Sequence, residues 1–317
     1  MMIISERQVQ FQLQSNSTTI SKMKNRTGKL KKTADILEKT MNFIFTVFGF
    51  TAVAFVLIIT IFLVISGTPA IGEIGITDFL FGTEWASTAA QPSYGILPFI
   101  LSSVYGTFGA ILIGVPLGIL CAVFLAKIAG KKISPIVSGA VNLMSGIPSV
   151  VYGFLGMILI VPTVREVFGL PDGANLFSAI IVLAIMILPS VISVSETAIR
   201  SVPKEYEEAS LSLGATKTET IFKVTLPAAK SGILASVVLG IGRAIGEAMA
   251  VMMVAGNVAN MPGIFKSVRF LTTAVASEMS YSSGLQRQAL FSVALVLFVF
   301  ILGINLVLNL IVKKERK

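Results

Sequence analysis

FIFTVFGFTAVAFVLIITIFLVIS, residues 43 to 66, runs without a single charged side chain. A bilayer's hydrocarbon is roughly 30 Å thick, and about 20 apolar residues in a helix cross it. The stretch therefore reads as a transmembrane helix. Working outward from it, further apolar runs cover about residues 97–126, 133–164, 176–199, 231–255 and 289–312. Six transmembrane helices are expected in an all-α integral membrane protein. Gly146 and Pro148 interrupt the third run and can split it into a short helix and a span.

Composition agrees and narrows the function. Of 317 residues, 54% are hydrophobic and 13% charged, about half the charge of a soluble domain. With no histidine, a Ser-His dyad, an H-E-x-x-H zinc site and a histidine proton relay are excluded. Cys121 is the single cysteine, so neither an intrachain disulfide nor a cysteine metal cluster can form. The only aspartates, Asp35, Asp78 and Asp172, lie in polar stretches, which leaves no pair for an intramembrane aspartyl protease. A transporter, a channel or an assembly subunit remains.

Lysine and arginine set the expected orientation. Residues 1–42 carry eight, the segment after the second span three (Lys127, Lys131, Lys132), the loop before the fifth span five, and the C-terminal tail four. The alternate loops carry none, one and three. Twenty against four places both termini in the cytosol. The net charge of +9 thus reads as topology, and no nucleic-acid partner is expected. Residues 1–42 lack the apolar core of a signal peptide and read as a tail with at most an interfacial helix near Leu30 to Met41.

The loop RSVPKEYEEASLSLGATKTETIFKVTLPAAK, residues 200–230, carries clear helix punctuation. Ser201 can cap a helix with Pro203 in its first turn, and Glu205, Glu207 and Glu208 follow where the helix dipole favours acids. Gly214 stops that helix. Thr216 with Glu219 forms a capping box for a second one, and Pro227 can open the fifth span. A solvated amphipathic linker is the plain reading of this pattern.

Glu208-Ala209-Ser210, three residues, Gly214, nine residues, Val224, one residue, Leu226-Pro227 resembles the EAA motif of ABC importer permeases. It departs from that motif at Ser210 and Val224, in place of Ala and Ile. The stretches MSGIPSVVYGFLG (144–156) and IGRAIGEAMAV (241–251) are similar to phosphate-specific permeases. DFLFGTEWASTAAQPSYGILPFI (78–100) is similar to the PstC-type subunit rather than its PstA-type partner. The resemblance covers about residues 43–312.

It implies a type I ABC importer permease (MetI-like) architecture in a bacterial or archaeal plasma membrane, importing inorganic phosphate. The expected layout is a cytosolic tail (1–42), a first transmembrane helix (43–66), an external loop (67–96), a permease core (97–312) with five further spans and the 200–230 coupling loop, and a cytosolic tail (313–317). Glu208 and Ala209 would lie on the helix that seats in the ATP-hydrolysing subunit, with Gly214 making the turn. The implied partners are two ATPase subunits, a PstA-like second permease, an external phosphate-binding protein and membrane lipid. The chain has no G-x-x-x-x-G-K-[ST] loop, so it is not expected to hydrolyse ATP. No cofactor, metal or catalytic residue is expected on it, and ATP with magnesium would sit on the ATPase. A permease for phosphonate, sulfate or molybdate is the nearest alternative. An ATPase-independent secondary transporter is the more distant one, for which a single Arg-Glu pair offers few coupling groups.

Arg243 and Glu247 lie near the middle of the fifth run. A charge at the bilayer centre costs about 2.5–3.5 kcal/mol on insertion scales, so both are expected to face protein or water. Four residues apart on one helix, they are within reach of each other. A buried ion pair that fixes packing is one reading. The other puts Arg243 in the substrate path, where its planar fork of donors matches phosphate oxygens and Glu247 moderates the field. Ser145, Ser149 and Tyr152 surround the Gly146-Ile147-Pro148 break, where freed backbone donors can meet an anion or a serine can simply fill a kink. Glu196 reads as interfacial. Trp85 and Tyr94 are expected at headgroup level, with docking of an external protein as the alternative.

Overall fold

In the computed structural model the backbone of residues 2–315 and the side chains of residues 37–308 and 310 are described. The chain forms two compact units, Met1–Phe62 and Leu63–Lys317. The first is the leading part of helix α1 (Met2–Ile74). From Phe43 to Phe62 it exposes Phe45, Phe48, Phe50 and Phe55 around its whole circumference, a surface that only lipid or another helix can cover.

The second unit begins with the end of α1, which continues past Pro69, and then α2 (Ile76–Phe81). A small antiparallel hairpin follows, β1 (Trp85–Ala86) and β2 (Ser93–Tyr94), with Trp85 opposite Tyr94. Next come α3 (Leu97–Val123), α4 (Ile133–Gly146), α5 (Ser149–Leu155), α6 (Val161–Phe168) and α7 (Leu176–Arg200). Short helices α8 (Lys204–Ser212), α9 (Lys217–Thr220) and α10 (Leu226–Ala228) lead to α11 (Lys230–Gly246) and α12 (Met249–Val254). Helices α13 (Leu271–Glu278) and α14 (Gly284–Glu315) complete it.

Helix α7 is the centre of this unit, with α3, α4, α11 and α12 packed on it. Asn175 caps it, its side chain accepting the Ser178 N–H at 3.0 Å. Small residues allow the close approach of α3. A Cβ added at Gly118 would stand 2.7 Å from Val191 Cγ1, and one at Gly114 the same distance from Ile187 Cδ1. Backbones that approach this closely gain dispersion contacts that lipid cannot replace.

Among the described residues, five helices are long and apolar enough to span a membrane: Leu37–Ile74, Leu97–Ile128, Ser149–Phe168, Leu176–Arg200 and Gly284–Leu308. A sixth exists only if Lys217–Ala228 and Lys230–Gly246, bent by 70°, are taken together. Two expected boundaries are corrected. The third span is Ser149–Phe168 rather than 133–164, because Ile147 is extended and Pro148 cannot continue α4. The fifth does not run unbroken from 231 to 255, because α11 ends at Gly246 and Glu247 is extended.

Candidate functional site

The site expected in the membrane is built at these two breaks. Helix α4 ends at Gly146, Ile147 turns to φ −72° and ψ 126°, and α5 restarts at Ser149. The second halves of the two broken segments, α5 and α12, pack on each other. A Cβ at Gly153 would lie 2.7 Å from Ala250 Cα, so only glycine permits the contact.

A break in lipid leaves backbone groups that must find partners. Buried Tyr152 reaches back across its own break and donates its hydroxyl to the Met144 carbonyl at 2.8 Å. The freed Glu247 carbonyl accepts the Thr272 hydroxyl at 2.8 Å. The Glu247 carboxylate accepts the Ala250 N–H at 3.0 Å, at the start of α12. A carboxylate suits the positive end of a helix.

The helical pairing of Arg243 with Glu247 is therefore absent. The extended backbone at Glu247 removes the geometry that places residues four apart on one face. Among the described residues Arg243 has neither an ion pair nor a hydrogen bond, and it is half-buried. Ser149 is half-buried and Ser145 exposed. The two breaks thus place Tyr152 on α5, which packs on α12, with Glu247 at the turn between α12 and the helix that carries Arg243. Among the described residues no hydrogen bond ties Ser145 to them.

At the other candidate site, α8 and α9 are the two short helices that the spacing predicts, joined through Gly214 at φ +88°. The Thr216–Glu219 capping box is present. The Thr216 backbone N–H, its hydroxyl and Lys223 push the exposed Glu219 carboxyl down to about 2. Two details differ from expectation. Pro203, not Ser201, occupies the cap position of α8, and Ser201 instead ends α7. Pro227 lies in α10, before the bend, and Lys230 opens α11.

Ser210, one of the two departures from the EAA pattern, shares a 2.9 Å hydrogen bond with Thr220 that ties α8 to α9. Glu207 forms an ion pair with Lys127, at the end of the second span, and accepts from Thr225 at 3.4 Å. Val224 and Leu226 are half-buried, Glu208 and Ala209 are exposed, and Leu213 is 90% exposed. Glu196 pairs with Arg200 at 2.8 Å, and Arg200 also donates to the Leu125 carbonyl and Ser134. That network ties α7 to the segments on either side of residue 130.

Trp85 and Tyr94 are not at an exposed belt. Both are more than nine-tenths buried, packed with Phe79, Ile96 and Phe99. Burial, with Glu73 nearby, pushes the Tyr94 phenol up. Trp85 Nε1 donates to Glu278 Oε2 at 3.2 Å, Gln286 donates to the same oxygen at 3.2 Å, and Arg269 forms an ion pair with Glu278. Neither this hub nor Thr272 was legible in the sequence, because no spacing rule links residue 85 to 278 or 247 to 272.

Residues 114–317 match the family described as binding-protein-dependent transport system inner membrane component. The chain is 40% identical over 256 residues to the probable ABC transporter permease protein YqgH of Bacillus subtilis (strain 168), covering 78% of this chain and 83% of that one. It is 34% identical over 261 residues to the phosphate transport system permease protein PstC of Pasteurella multocida (strain Pm70), covering 75% and 81%. Two solved structures share the fold. The bacterial alginate ABC transporter gives a TM-score of 0.58 at 17% identity, over 86% of this chain and 93% of that one. The inward-facing MetNI methionine ABC transporter gives 0.53 at 22% identity, over 70% and 94%. With a break before its third span, another after α11 and a capped loop before α11, the chain belongs to the binding-protein-dependent inner-membrane components, the MetI-like permeases of ABC importers, as a non-catalytic multi-pass membrane subunit that works with other ABC components.

Proposed function

We propose that this chain is the PstC-type permease of an ATP-driven importer of inorganic phosphate, with Arg243 and Glu247 facing the path of the anion. One observation carries the site: Arg243 is half-buried in an apolar helix and has no ion pair or hydrogen bond among the described residues. A cation at that depth is costly unless it meets water or an anion. Phosphate oxygens match its donor fork, and the nearby Glu247 carboxylate keeps the site from holding the anion too long. Tyr152 and Ser149 line the facing break, and Ser145 stands apart from them on the exposed end of α4. Relatives named as phosphate transport permeases support the choice of substrate.

Both termini lie in the cytosol in this reading, which puts α8 on the cytosolic face. Exposed Glu208, Ala209 and Leu213, with Tyr206 at 54% exposure, then offer a partly apolar surface to an ATPase subunit that binds ATP and magnesium. The assembly has two such subunits, a PstA-like second permease and an external phosphate-binding protein.

The test is phosphate uptake beside the amount of assembled complex for Arg243→Gln, Glu247→Gln and the double variant. Arg243→Gln is expected to abolish uptake with assembly intact, and Arg243→Lys to restore it only partly. Glu247 is not paired with Arg243, so the double variant should not recover transport. Recovery of both uptake and assembly in the double variant would overturn the anion-contact role.

A further inference from the structure

In an unbroken helix the Glu247 carbonyl would accept the N–H of Val251. The break ends that bond, and among the described residues the Thr272 hydroxyl takes its place. Glu247 is thus held at two points, its backbone by Thr272 and its carboxylate by the start of α12. Thr272 is itself firmly placed, at 8% exposure in the first turn of α13. The Leu271 N–H beside it donates to Ser103 of α3 at 3.0 Å. The far end of α13 is Glu278, gripped by Trp85, Arg269 and Gln286. Thr272 therefore sits on a short rod that is fixed at both ends and belongs to neither of the broken spans.

We propose that Thr272 is a positioning residue for transport: its hydroxyl holds the turn at Glu247 and so fixes where that carboxylate stands relative to Arg243. The proposal rests on the reading that Arg243 and Glu247 face the phosphate path. Thr272 does not touch the anion and acts through Glu247. A carbonyl left unpaired in a dry environment seeks another partner, and the cheapest route is for the turn to wind back toward helix. That would swing the carboxylate toward the face Arg243 occupies.

The experiment measures phosphate uptake per assembled complex in reconstituted vesicles, together with the amount of complex. Thr272→Val keeps the shape and removes the donor. It is expected to lower uptake per complex about tenfold, the size expected for one lost bond to a buried carbonyl. Thr272→Ser keeps the hydroxyl and should stay within about twofold of the parent. Because Thr272 acts through Glu247, adding Thr272→Val to Glu247→Gln should lower uptake no further than Glu247→Gln alone. Normal uptake per complex in Thr272→Val, a loss confined to the amount of complex, or additive losses in the double variant would each overturn the proposal. If Arg243→Gln and Glu247→Gln both transport normally, the path reading fails and the proposal falls with it. If those two abolish uptake while Thr272→Val transports normally, only the positioning role fails.

Discussion

Ile147 and Glu247 occupy the same backbone conformation, φ −72° and ψ 126° in one and φ −75° and ψ 127° in the other. Each follows a glycine that ends a helix, and each donates its N–H to the carbonyl three residues back, Met144 at 3.3 Å and Ala244 at 3.5 Å. The short helices beyond them, α5 and α12, pack together. The chain uses one kind of break twice and gives the two a different chemistry, an Ile-Pro step in one and a carboxylate in the other. A hydroxyl reaches a different carbonyl at each break, Tyr152 that of Met144 before the turn and Thr272 that of Glu247 at the turn itself.

Gly214 joins α8 to α9 in the left-handed region, where a β-branched residue costs about 1–2 kcal/mol. Gly214→Val should leave the chain in the membrane and loosen the ATPase, which co-purification from detergent measures. Gly214→Ala should do the same more weakly. Unchanged recovery of the ATPase with Gly214→Val would reduce the loop to a linker.

Ser210→Ala removes the bond to Thr220, a residue that is only 3% exposed. One buried hydroxyl left unpaired costs about 1–3 kcal/mol, so the melting temperature of the purified complex should fall. Ser210→Ala with Thr220→Val removes both polar groups and should recover most of that loss. A double variant no better than the single one would show that the bond does not join the two helices.

Glu278→Gln leaves Arg269 without its anionic partner. Both side chains are about one-fifth exposed, so water softens the loss, and about 1–2 kcal/mol is expected. Trp85→Phe keeps the Arg269–Glu278 ion pair but removes one hydrogen bond to the carboxylate and leaves a cavity where the indole was, so its effect should be comparable or larger. Protease nicking between residues 78 and 96 should rise above the parent in both variants. Protection equal to the parent's in both variants would mean that burial alone holds the hairpin.

The Glu219 carboxyl, held at about 2 against an ordinary 4.5, binds its proton only in strong acid. The stability it contributes is present above pH 4.5 and is lost as the pH falls toward 2. Thr216→Val takes away the hydroxyl partner and should raise that value toward the ordinary one. A carbon NMR titration of labelled Glu219 reads the shift directly, and no change on substitution would remove Thr216's hydroxyl from the cap.

Local chemistry made much of this protein readable from its sequence. Apolar runs long enough to cross a bilayer, the Thr216–Glu219 box and the glycine at 214 act within a few residues, where spacing and side-chain type decide the outcome. Gly146 with Pro148 likewise announced a possible break. The break at Glu247 was not legible. Arg243-Ala244-Ile245-Gly246-Glu247 satisfies a helical pattern, and only the packing of α12 against α5 and the hydroxyl of Thr272 make the extended turn affordable in lipid. The burial of Trp85 was hidden for the same reason. A tryptophan in a polar loop reads as interfacial until Glu278, 193 residues away, supplies its acceptor. The sequence determined the elements and the family, because those depend on neighbours along the chain. The tertiary structure alone decided which charges stand unpaired, because pairing depends on neighbours in space.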